Sequence, residues 1–367
     1  MANRRPPAKP PARLRALRAK IDKLDENIQA LISARAECAQ EVAAFKQQAG
    51  EANFYKPERE VDVLRRVIAR NNGPLSGEEM ARLFREIMSA CLALEMPMQI
   101  AFLGPEGTFT QTAALKHFGH SVNSLPLQGI AEVFREVESG AAQFGVVPIE
   151  NSTEGVINHT LDVFVNSPLR ICGEVELRIH HYLLSKTKSL KKLKRVLSHQ
   201  QSLAQCREWL DANLPGVERV VVASNAEAAR LVARDVSAAA IAGSSAAEIY
   251  GLQVLVSNIE DEPDNTTRFL VIGRLDPVPT GEDKTSLLVS GKNRAGGLMS
   301  LLAPLARHRI NMTRIESRPS RRGLWEYVFF VDIDGHMHDP KLRKAIAEVE
   351  KQASFLKWLG SYPKAVL

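Results

Sequence analysis

Apolar residues recur at alternating spacings of three and four along the first long stretch of the chain. This heptad pattern predicts one long helix with a continuous apolar stripe on one side. The stripe consists of Leu14, Leu17, Ile21, Leu24, Ile28, Leu31, Cys38, Val42 and Phe45. At about 1.5 Å per residue the helix would extend roughly 50 Å, too far for two shorter helices to cover, so we expect a partner chain.

A cation, Arg35, interrupts the stripe at a position where the pattern requires leucine or isoleucine. Burying a cation without an anion is costly, so Arg35 implies either a carboxylate partner or a bound anionic ligand. Lys46 lies beside the stripe, one turn after Val42, and Arg18 flanks the stripe near its start. The long helix therefore carries several cations close to its apolar side.

Two shorter helices are expected to complete residues 12–97 as an all-α unit of three helices. The second begins at about Pro57, which suits a first helical turn. The third begins at Ser76, where Glu79 completes a capping box, and Glu95 ends its apolar row. A single charge on such a helix is usually solvated or sets the register through a salt bridge. Several charges on converging apolar rows favour an anion pocket instead, and they are Arg18, Arg35, Lys46, Arg59, Glu60 and Glu95.

Residues 98–275 repeat the order strand, polar turn, helix. This order predicts two α/β lobes with a ligand cleft at the carboxyl ends of their strands. The first strand ends at Leu103 and leads into a glycine turn at 104–110, whose spacing fits neither a dinucleotide fold nor a P-loop. A second strand ends in the polar loop 150–155, and a linker-like segment at 169–174 leads to the second lobe. There Ser198 and His199 follow a strand, and 238–242 is a buried strand.

A polar turn at 264–266 enters the apolar run 269–272, so Thr267 and Arg268 stand at a turn-to-strand junction. A hydroxyl beside a guanidinium can donate a proton to a leaving oxygen while the cation holds a carboxylate. An isolated segment of this kind is more often a simple turn entering an edge strand. His199 is a candidate acid, although a lone histidine after a strand is more often structural.

The last part of the chain, 282–362, follows a short proline-marked linker at 276–279. Its predicted order of elements, βαββαβ, is ferredoxin-like. This segment has no acid–base constellation, so a binding role is expected for it rather than a catalytic one.

The 367 residues are 45% hydrophobic and 25% charged, which is ordinary for a globular protein of two or three domains. Residues 1–11 are basic and rich in proline, so we expect a disordered tail without a signal sequence. No apolar run approaches the roughly 18 residues of a membrane-spanning helix. The four cysteines have no metal-binding spacing, which favours reduced thiols in the cytoplasm and no metal site.

The net charge of +6 has two possible explanations. Nucleic-acid binding through the basic tail would give a steep salt dependence. However, the basic residues lie mostly in the tail and in 186–195, without interleaved aromatic residues or a recognised binding motif. Small anionic substrates account for a mildly basic protein equally well.

The three-helix segment resembles the all-helical chorismate mutases, because Arg18, Arg35, Lys46, Arg59, Glu60 and Glu95 stand where that family holds the carboxylates, hydroxyl and ether oxygen of chorismate. The resemblance implies an intertwined dimer in which Arg18 reaches the partner's site. It also implies a unimolecular Claisen rearrangement, which needs only a held conformer and stabilised charge on the ether oxygen, with Lys46 and Glu95 as the catalytic groups.

Two positions depart from that family. Cys91, which we include among the chorismate-binding residues, occupies a position where a relative has serine. Glu95 stands where some members have glutamine. A glutamate must be protonated to donate a hydrogen bond to the ether oxygen, so mutase activity is expected to fall as the pH rises through the pKa of Glu95.

The middle segment resembles the prephenate dehydratases, which have a fold like that of periplasmic binding proteins. The matching motifs are the Gly-Pro-x-Gly-Thr-Phe turn, the Pro-Ile-Glu-Asn-Ser loop, Ser198-His199 with Gln205, and the Thr-Arg-Phe turn. The resemblance implies decarboxylation of prephenate with loss of its ring hydroxyl, without a cofactor, and with Thr267 as proton donor. The other residues expected to bind prephenate are Thr108, Asn151, Ser152, Thr153, Ser198, Gln205, Arg268 and Phe269.

The C-terminal segment resembles an ACT domain, a regulatory unit that binds phenylalanine in dehydratases. The two matching motifs, together with Asn293, comprise Gly296, Gly297 and Leu298, and then Glu316, Ser317, Arg318 and Pro319. The second glycine stands where alanine is common. A dimerisation module that binds no ligand is the alternative.

The order of the three segments resembles that of the bifunctional chorismate mutase–prephenate dehydratases. This resemblance implies a cytoplasmic homodimer, possibly pairing into a tetramer, that converts chorismate through prephenate to phenylpyruvate and is inhibited by L-phenylalanine. No cofactor, nucleic acid or membrane is expected as a partner. The alternative from a different class is a two-lobed sensor of small anions with terminal dimerisation domains.

Overall fold

A computed structural model describes residues 11–50, 55–292, 294–319 and 327–366. The predicted tail at 1–11 and the predicted ligand residue Asn293 therefore fall outside the described residues, except for Pro11, which precedes the first helix. The helices are α1 (Ala12–Gln48), α2 (Pro57–Arg70), α3 (Gly77–Glu95), α4 (Phe109–Phe118), α5 (Ile130–Ser139), α6 (Asn158–Phe164), α7 (Gln200–Gln205), α8 (Arg207–Asn213), α9 (Asn225–Val232), α10 (Ser244–Tyr250), α11 (Gly297–Arg307) and α12 (Pro340–Gln352).

The strands fall into three sheets. In chain order they are β1 (Gln99–Leu103), β2 (Asn123–Leu127), β3 (Phe144–Asn151), β4 (Gly155–Val156), β5 (Arg170–Arg178), β6 (Tyr182–Ser185), β7 (Arg195–Ser198), β8 (Glu218–Val221), β9 (Ala238–Ala242), β10 (Gln253–Val256), β11 (Thr266–Gly273), β12 (Asp283–Gly291), β13 (Met312–Pro319), β14 (Tyr327–Asp334) and β15 (Ala353–Pro363).

The three N-terminal helices begin where the sequence predicts. Pro57 occupies the first turn of α2, and the Ser76 hydroxyl accepts a hydrogen bond from the Glu79 N–H at 3.1 Å at the start of α3. The apolar stripe of α1 lies on the surface of the single chain, where Leu31 is 71% exposed and Phe45 is 73% exposed. Such a row of large apolar side chains is left without cover by α2 and α3.

The first lobe is a mixed sheet with the strand order β2-β1-β3-β11-β5, with β4 added beside β3. β11 is antiparallel to both β3 and β5, so it is an inner strand, and the reading of 266–273 as an edge strand is wrong. The expected linker at 169–174 is also wrong. These residues begin β5, and Leu169 and Ile171 are buried in the core of the lobe.

The second lobe is inserted between β5 and β11 and has the strand order β10-β6-β9-β7-β8. Its central strand β9 is fully buried, as the alanine-rich run predicts. The helical segment after β7 is broken into two short helices, α7 and α8, that meet at Cys206. Asp261 causes this break, because its carboxylate accepts hydrogen bonds from the Glu208 and Trp209 N–H groups and its own N–H donates to the Gln205 carbonyl.

The C-terminal unit has the predicted βαββαβ order, and its sheet order is β13-β14-β12-β15. One face of this sheet continues the hydrophobic core of the first lobe: Phe330 and Leu359 belong to the same buried cluster as Ile149 and Leu270. The C-terminal unit and the first lobe therefore share one interior.

In the part of the chain that the structure describes, no helix has both the length and the apolar character needed to span a membrane.

Candidate active sites and effector site

A cavity of about 380 Å³, which we call the helical cavity, lies between α1, α2 and α3. Of the residues predicted to bind chorismate, those that line it are Arg35, Lys46, Arg59, Glu60, Cys91 and Glu95. Arg18 does not line the cavity. It lies nearly five turns before Arg35 on α1, roughly 25 Å away along the helix axis. Arg18 is exposed in the single chain.

The Glu95 carboxylate faces the helical cavity, and its Oε2 is buried without a hydrogen-bond partner. Burial raises the pKa of Glu95, while the nearby Lys46 and Arg35 lower it, and burial prevails. A carboxyl group in this state keeps its proton to a higher pH than an exposed glutamate does. Glu95 can therefore act as a hydrogen-bond donor towards an oxygen in the cavity.

The Glu60 carboxylate also lines the helical cavity, and it has two partners that the sequence analysis missed. Its Oε1 is 3.2 Å from the Nε of Arg85, and Tyr55 also hydrogen-bonds to it. Burial raises the pKa of Glu60, and Arg85 opposes this effect. The apolar pattern of α3 does not identify Arg85, because Arg85 lies on a different side of the helix from the apolar row. The available signal was a cation spaced at four residues between the small residues Ala81 and Ser89.

A second cavity of about 240 Å³, the interlobe cleft, lies between the two α/β lobes. The predicted prephenate residues that line it are Thr108, Asn151, Gln205, Thr267 and Phe269. They come from α4, β3, α7 and β11, so both lobes contribute. Among the described residues that line the cleft, none is a lysine or an arginine. Two helix N-termini at the wall suit an anion: that of α4, whose N-cap is Thr108, and that of α9, whose N-cap is Ser224.

Thr267 is held by an amide network at the wall of the cleft. The Asn151 Nδ2 donates to the Thr267 Oγ1 at 2.8 Å and to the Asn265 Oδ1 at 2.7 Å. Because the Thr267 oxygen accepts this bond, its own proton is left to point elsewhere, including into the cleft. Thr267 is only 8% exposed, which keeps bulk water away from the hydroxyl.

Gln205 links the two lobes across the cleft. Its Nε2 donates to the Thr153 Oγ1 at 3.1 Å, and its Oε1 accepts from the Asn265 Nδ2 at 3.2 Å. The ring of His181 lies 2.9 Å from the same Oε1, and burial lowers the pKa of that histidine, so a neutral ring N–H donates the bond. Sequence reasoning missed His181, which lines the cleft, and Asn265, which is buried and hydrogen-bonds to the cleft residues Asn151 and Gln205. Asn265 nevertheless stands within the Thr-Arg-Phe turn.

Three other predicted residues do not line the cleft and act through neighbours. The Ser152 hydroxyl accepts from the Thr266 N–H, and the Thr153 hydroxyl donates to the Asn151 Oδ1 at 2.7 Å. Ser198 is fully buried and hydrogen-bonds to Asn225, which does line the cleft. His199 lines the cleft, and its ring also accepts a hydrogen bond from the Gln201 N–H at the start of α7.

Arg268 contradicts its predicted role. Neighbouring side chains on a strand point to opposite faces, and Arg268 points away from the cleft that Thr267 lines. Its Nε lies 2.8 Å from Glu174 and its Nη1 2.6 Å from Asp332 of the C-terminal unit. The prediction that Arg268 binds a substrate carboxylate is therefore wrong, because carboxylates of the protein already occupy the guanidinium.

The two C-terminal motifs lie on separate elements. Gly296 precedes α11 with a φ of 73°, and a side chain at Gly297 would lie 2.6 Å from the Lys292 carbonyl oxygen, so this loop requires glycine where alanine is common. Leu298, at the start of α11, is 42% exposed. The second motif, Glu316 to Pro319, lies on the edge strand β13, where Ser317 is exposed. Arg318 is engaged by Asp162 of the first lobe at 2.9 Å.

Within the described residues, no cluster of three or more histidine, cysteine, aspartate or glutamate side chains could hold a metal ion. The four cysteines are free.

Three family models match the chain in succession. They are chorismate mutase type II over residues 17–96, prephenate dehydratase over 100–277 and the ACT domain over 285–351. These three segments correspond to the helical unit, the two α/β lobes and the C-terminal unit.

Two curated proteins are similar to this chain over almost its whole length. A bifunctional chorismate mutase/prephenate dehydratase of Stutzerimonas stutzeri is 59% identical over 96% of this chain and 98% of its own. One of Pseudomonas aeruginosa is 57% identical over the same shares. The crystal structure of a prephenate dehydratase from Arthrobacter aurescens in complex with L-Phe is 35% identical, has a TM-score of 0.68, and covers 72% of this chain and 89% of that chain. The chain therefore belongs to the family of bifunctional chorismate mutase/prephenate dehydratases.

Proposed function

We propose that the helical cavity rearranges chorismate to prephenate and that the interlobe cleft converts prephenate to phenylpyruvate, carbon dioxide and water. The observation that carries the proposal is the Thr267 hydroxyl, which lines the cleft and accepts a hydrogen bond from Asn151 at 2.8 Å. That arrangement leaves a proton donor beside a cavity large enough for a small anion. The domain boundaries that we propose are 12–97, 98–275 and 282–362.

In the helical cavity, catalysis needs no nucleophile. Arg35 and Arg59 hold the two carboxylates of chorismate, Lys46 and the protonated Glu95 donate hydrogen bonds to the ether oxygen as its charge develops, and Glu60 accepts from the substrate hydroxyl. Cys91 packs beside the substrate. The presence of Arg35, Lys46, Glu60 and Glu95 on the walls of one cavity supports these roles. Arg18 is proposed to act in the cavity of a second copy.

In the cleft, the bond to the departing carboxylate breaks and its electron pair moves into the ring, which becomes aromatic as the ring hydroxyl leaves. The C–O bond breaks with its electron pair on the oxygen, Thr267 stabilises the leaving hydroxide by donating a hydrogen bond to it, and the hydroxide takes one proton from the medium to become water. An alcohol is a weak acid at neutral pH, so Thr267 mainly stabilises the leaving oxygen while the cleft excludes bulk water. With Arg268 directed elsewhere, Thr108 and the N-terminal end of α4 are proposed to hold a prephenate carboxylate.

The C-terminal unit is proposed to bind L-phenylalanine between copies of the chain. The exposed Leu298 and Ser317 and the tight loop before α11 support a ligand at this surface. Phenylalanine inhibits the enzyme by binding one quaternary state better than another, because equal affinity for both would shift nothing. A homodimer in the cytoplasm, able to pair into a tetramer, is proposed, and the uncovered stripe of α1 and the free thiols support it.

Phenylpyruvate formation from purified prephenate, with and without L-phenylalanine, tests these assignments. Product that decreases when phenylalanine is added is the expected result. Product formation that does not respond to phenylalanine would support the dehydratase activity but would make the C-terminal unit a dimerisation module without an effector. Folded protein that forms no product would favour the anion sensor instead.

A further inference from the structure

The helical cavity is not formed by the three N-terminal helices alone. Phe118, the last residue of α4 in the first lobe, lines it together with residues of α1, α2 and α3. The turn after α4 packs so closely on α3 that a side chain at Gly119 would collide with Ser89. The Ser121 N–H also donates to the Ser89 hydroxyl, at 3.3 Å. The lobe that carries the cleft thus supplies one wall of the other cavity.

Arg85 joins the two units at this wall. It is 8% exposed, and its Nη1 donates to the carbonyl oxygen of Lys116 at 2.6 Å. Lys116 lies in the last turn of α4, where unpaired carbonyl groups and the helix dipole favour a cation. On its other side, the Nε of Arg85 lies 3.2 Å from the Glu60 Oε1. A single side chain therefore connects α4 to a carboxylate of the helical cavity.

Tyr55 makes a second connection of the same kind. Its hydroxyl lies 3.1 Å from the Nε2 of His117, the residue next to Lys116, and it also hydrogen-bonds to Glu60. Burial lowers the pKa of His117 to about 3, so its ring is neutral and adds no charge to this wall. Both partners of the Glu60 carboxylate are thus fixed by consecutive residues of α4.

We propose that Arg85 is a positioning residue for the mutase reaction, which holds Glu60 ionised and correctly placed by anchoring it to α4 of the dehydratase lobe. The proposal rests on the proposed function of the helical cavity. The Glu60 side chain is purely a hydrogen-bond acceptor, as the substrate hydroxyl requires, only while it is ionised. Burial alone raises the pKa of Glu60, and Arg85 is the largest influence in the opposite direction.

Other charged groups also face this wall and must be considered in any pH profile. In addition to Tyr55 and Glu60 itself, the charged or titratable residues that line the helical cavity are Arg35, Cys38, Lys46, Lys56, Arg59, Cys91 and Glu95. A small gap behind Glu60 is lined by Tyr55, Arg85, His117, Cys172, Glu174 and Lys364. Arg85 and, to a smaller degree, Tyr55 are the side chains that lower the pKa of Glu60 against the effect of burial. Removing the Arg85 charge should therefore shift the protonation of Glu60 to higher pH.

The test is Arg85→Gln in the full-length chain. We expect kcat/KM for chorismate to fall by about tenfold or more, the usual effect of losing a hydrogen bond to a charged group. We also expect the acid limb of the mutase pH profile to move to higher pH, which a merely structural role would not cause. Dehydratase activity on prephenate should stay within about twofold of that of the unsubstituted chain, because Arg85 lies outside the cleft.

The matched control is Arg82→Gln. Arg82 lies one turn earlier on α3, its side chain is 65% exposed, and it pairs with Glu79 on the same helix. This variant removes the same charge from the same helix, and both activities and the mutase pH profile should match those of the unsubstituted chain. A shift of the profile in this control would show that net charge, rather than Arg85, sets the pH dependence, and would overturn the proposal.

Arg85→Lys keeps the charge and decides the case if Arg85→Gln does not fold. A lysine ammonium can pair with the Glu60 carboxylate but cannot at the same time donate to the Lys116 carbonyl oxygen, as the forked guanidinium does. We therefore expect the acid limb of the pH profile to stay close to that of the unsubstituted chain, while kcat/KM is reduced. Unchanged mutase kinetics in either variant would overturn the proposal, as would an equal loss of both activities. An unsubstituted chain without mutase activity would instead refute the function assigned to the helical cavity.

Discussion

Thr267 and Arg268 are neighbours on β11, yet their side chains serve different parts of the molecule. Thr267 lines the interlobe cleft, and Arg268 lies between Glu174 and Asp332 on the other face of the sheet. Burial of Arg268 opposes its charge, but the surrounding carboxylates and Tyr362 raise its pKa far above the ordinary value, so it stays charged. Because successive side chains of a strand point to opposite faces, Thr267 faces the cleft, while Arg268 joins the first lobe to the C-terminal unit.

Replacing Thr267 with alanine should abolish most of the dehydratase activity. The variant loses the hydroxyl that stabilises the leaving oxygen, and we expect kcat on prephenate to fall roughly 100-fold or more. Mutase activity, measured by loss of chorismate, should be unchanged. Thr266→Ala is the control, because its hydroxyl lies outside the cleft and donates to the Asp264 carbonyl. Dehydration at the normal rate by Thr267→Ala would remove Thr267 from the mechanism.

Glu95 should control the pH dependence of the mutase. The proton that Glu95 donates is lost as the pH rises through its pKa, which burial has raised, so kcat/KM for chorismate should fall on the alkaline side. Glutamine donates at every pH, so Glu95→Gln should flatten this limb. Glu78→Gln, an exposed substitution on the same helix, serves as the control. If Glu95→Gln retains the alkaline decline of the unsubstituted chain, another group is responsible for it.

Elements with a strong internal pattern were predictable from the sequence. The heptads of α1, the capped start of α3, the buried run of β9 and the βαββαβ order all depend on residues close together in the chain. The start of β5 was missed because its glycine and glutamate resemble a linker. In the structure, Gly173 packs against the His117 ring, and Glu174 pairs with Arg268. Both partners are distant in the sequence, so no local pattern could identify them.

The same limit applies to the sites. The residue types around both cavities were predicted, because family motifs specify them. The break between α7 and α8 depends on Asp261, and the orientation of Arg268 depends on Asp332 in another unit. Arg85 was missed for a similar reason, since its partner is a backbone carbonyl of α4. Residues that contact a ligand were therefore easier to predict from the sequence than residues that position those ligand-binding side chains.

The contact between β11 and β14 should contribute to stability. Burial alone would raise the pKa of Asp332, but Arg268 and Ser286 hold it below its ordinary value. A lowered pKa means that this contribution is present near neutral pH and is lost as the pH falls through the folded-state value. Asp332→Asn should lower the free energy of unfolding by about 3 kcal/mol at pH 7 and make the remaining stability less dependent on acid.

Chemical denaturation at pH 7 and at acidic pH measures both effects of Asp332→Asn. The control is Asp211→Asn, which removes one partner of a pair whose aspartate side chain is 61% exposed. This control should change the free energy of unfolding by less than about 1 kcal/mol. Equal stability losses in the two variants would mean that the buried pair has no special role.

At the scale of the whole molecule, the stripe of α1 predicts a dimer. Leu24 and Ile28 are 50% and 54% exposed in the single chain. Ile28→Glu should therefore give a monomer in sedimentation experiments, with mutase activity lost and dehydratase activity retained. Ser33→Glu adds the same charge on the outer side of α1 and should leave the dimer intact. An Ile28→Glu variant that stays dimeric with full mutase activity would contradict the proposed pairing.

Because Phe330 and Leu359 lie in one cluster with Ile149 and Leu270, the C-terminal unit is part of the interior of the first lobe. Deleting residues 282–367 would open that interior to water, so a shortened chain should aggregate rather than become an unregulated catalyst. The two units should also melt together in calorimetry. A feedback-resistant enzyme should therefore be sought by point substitutions in the loop before α11, because removing the C-terminal unit would also unfold the first lobe.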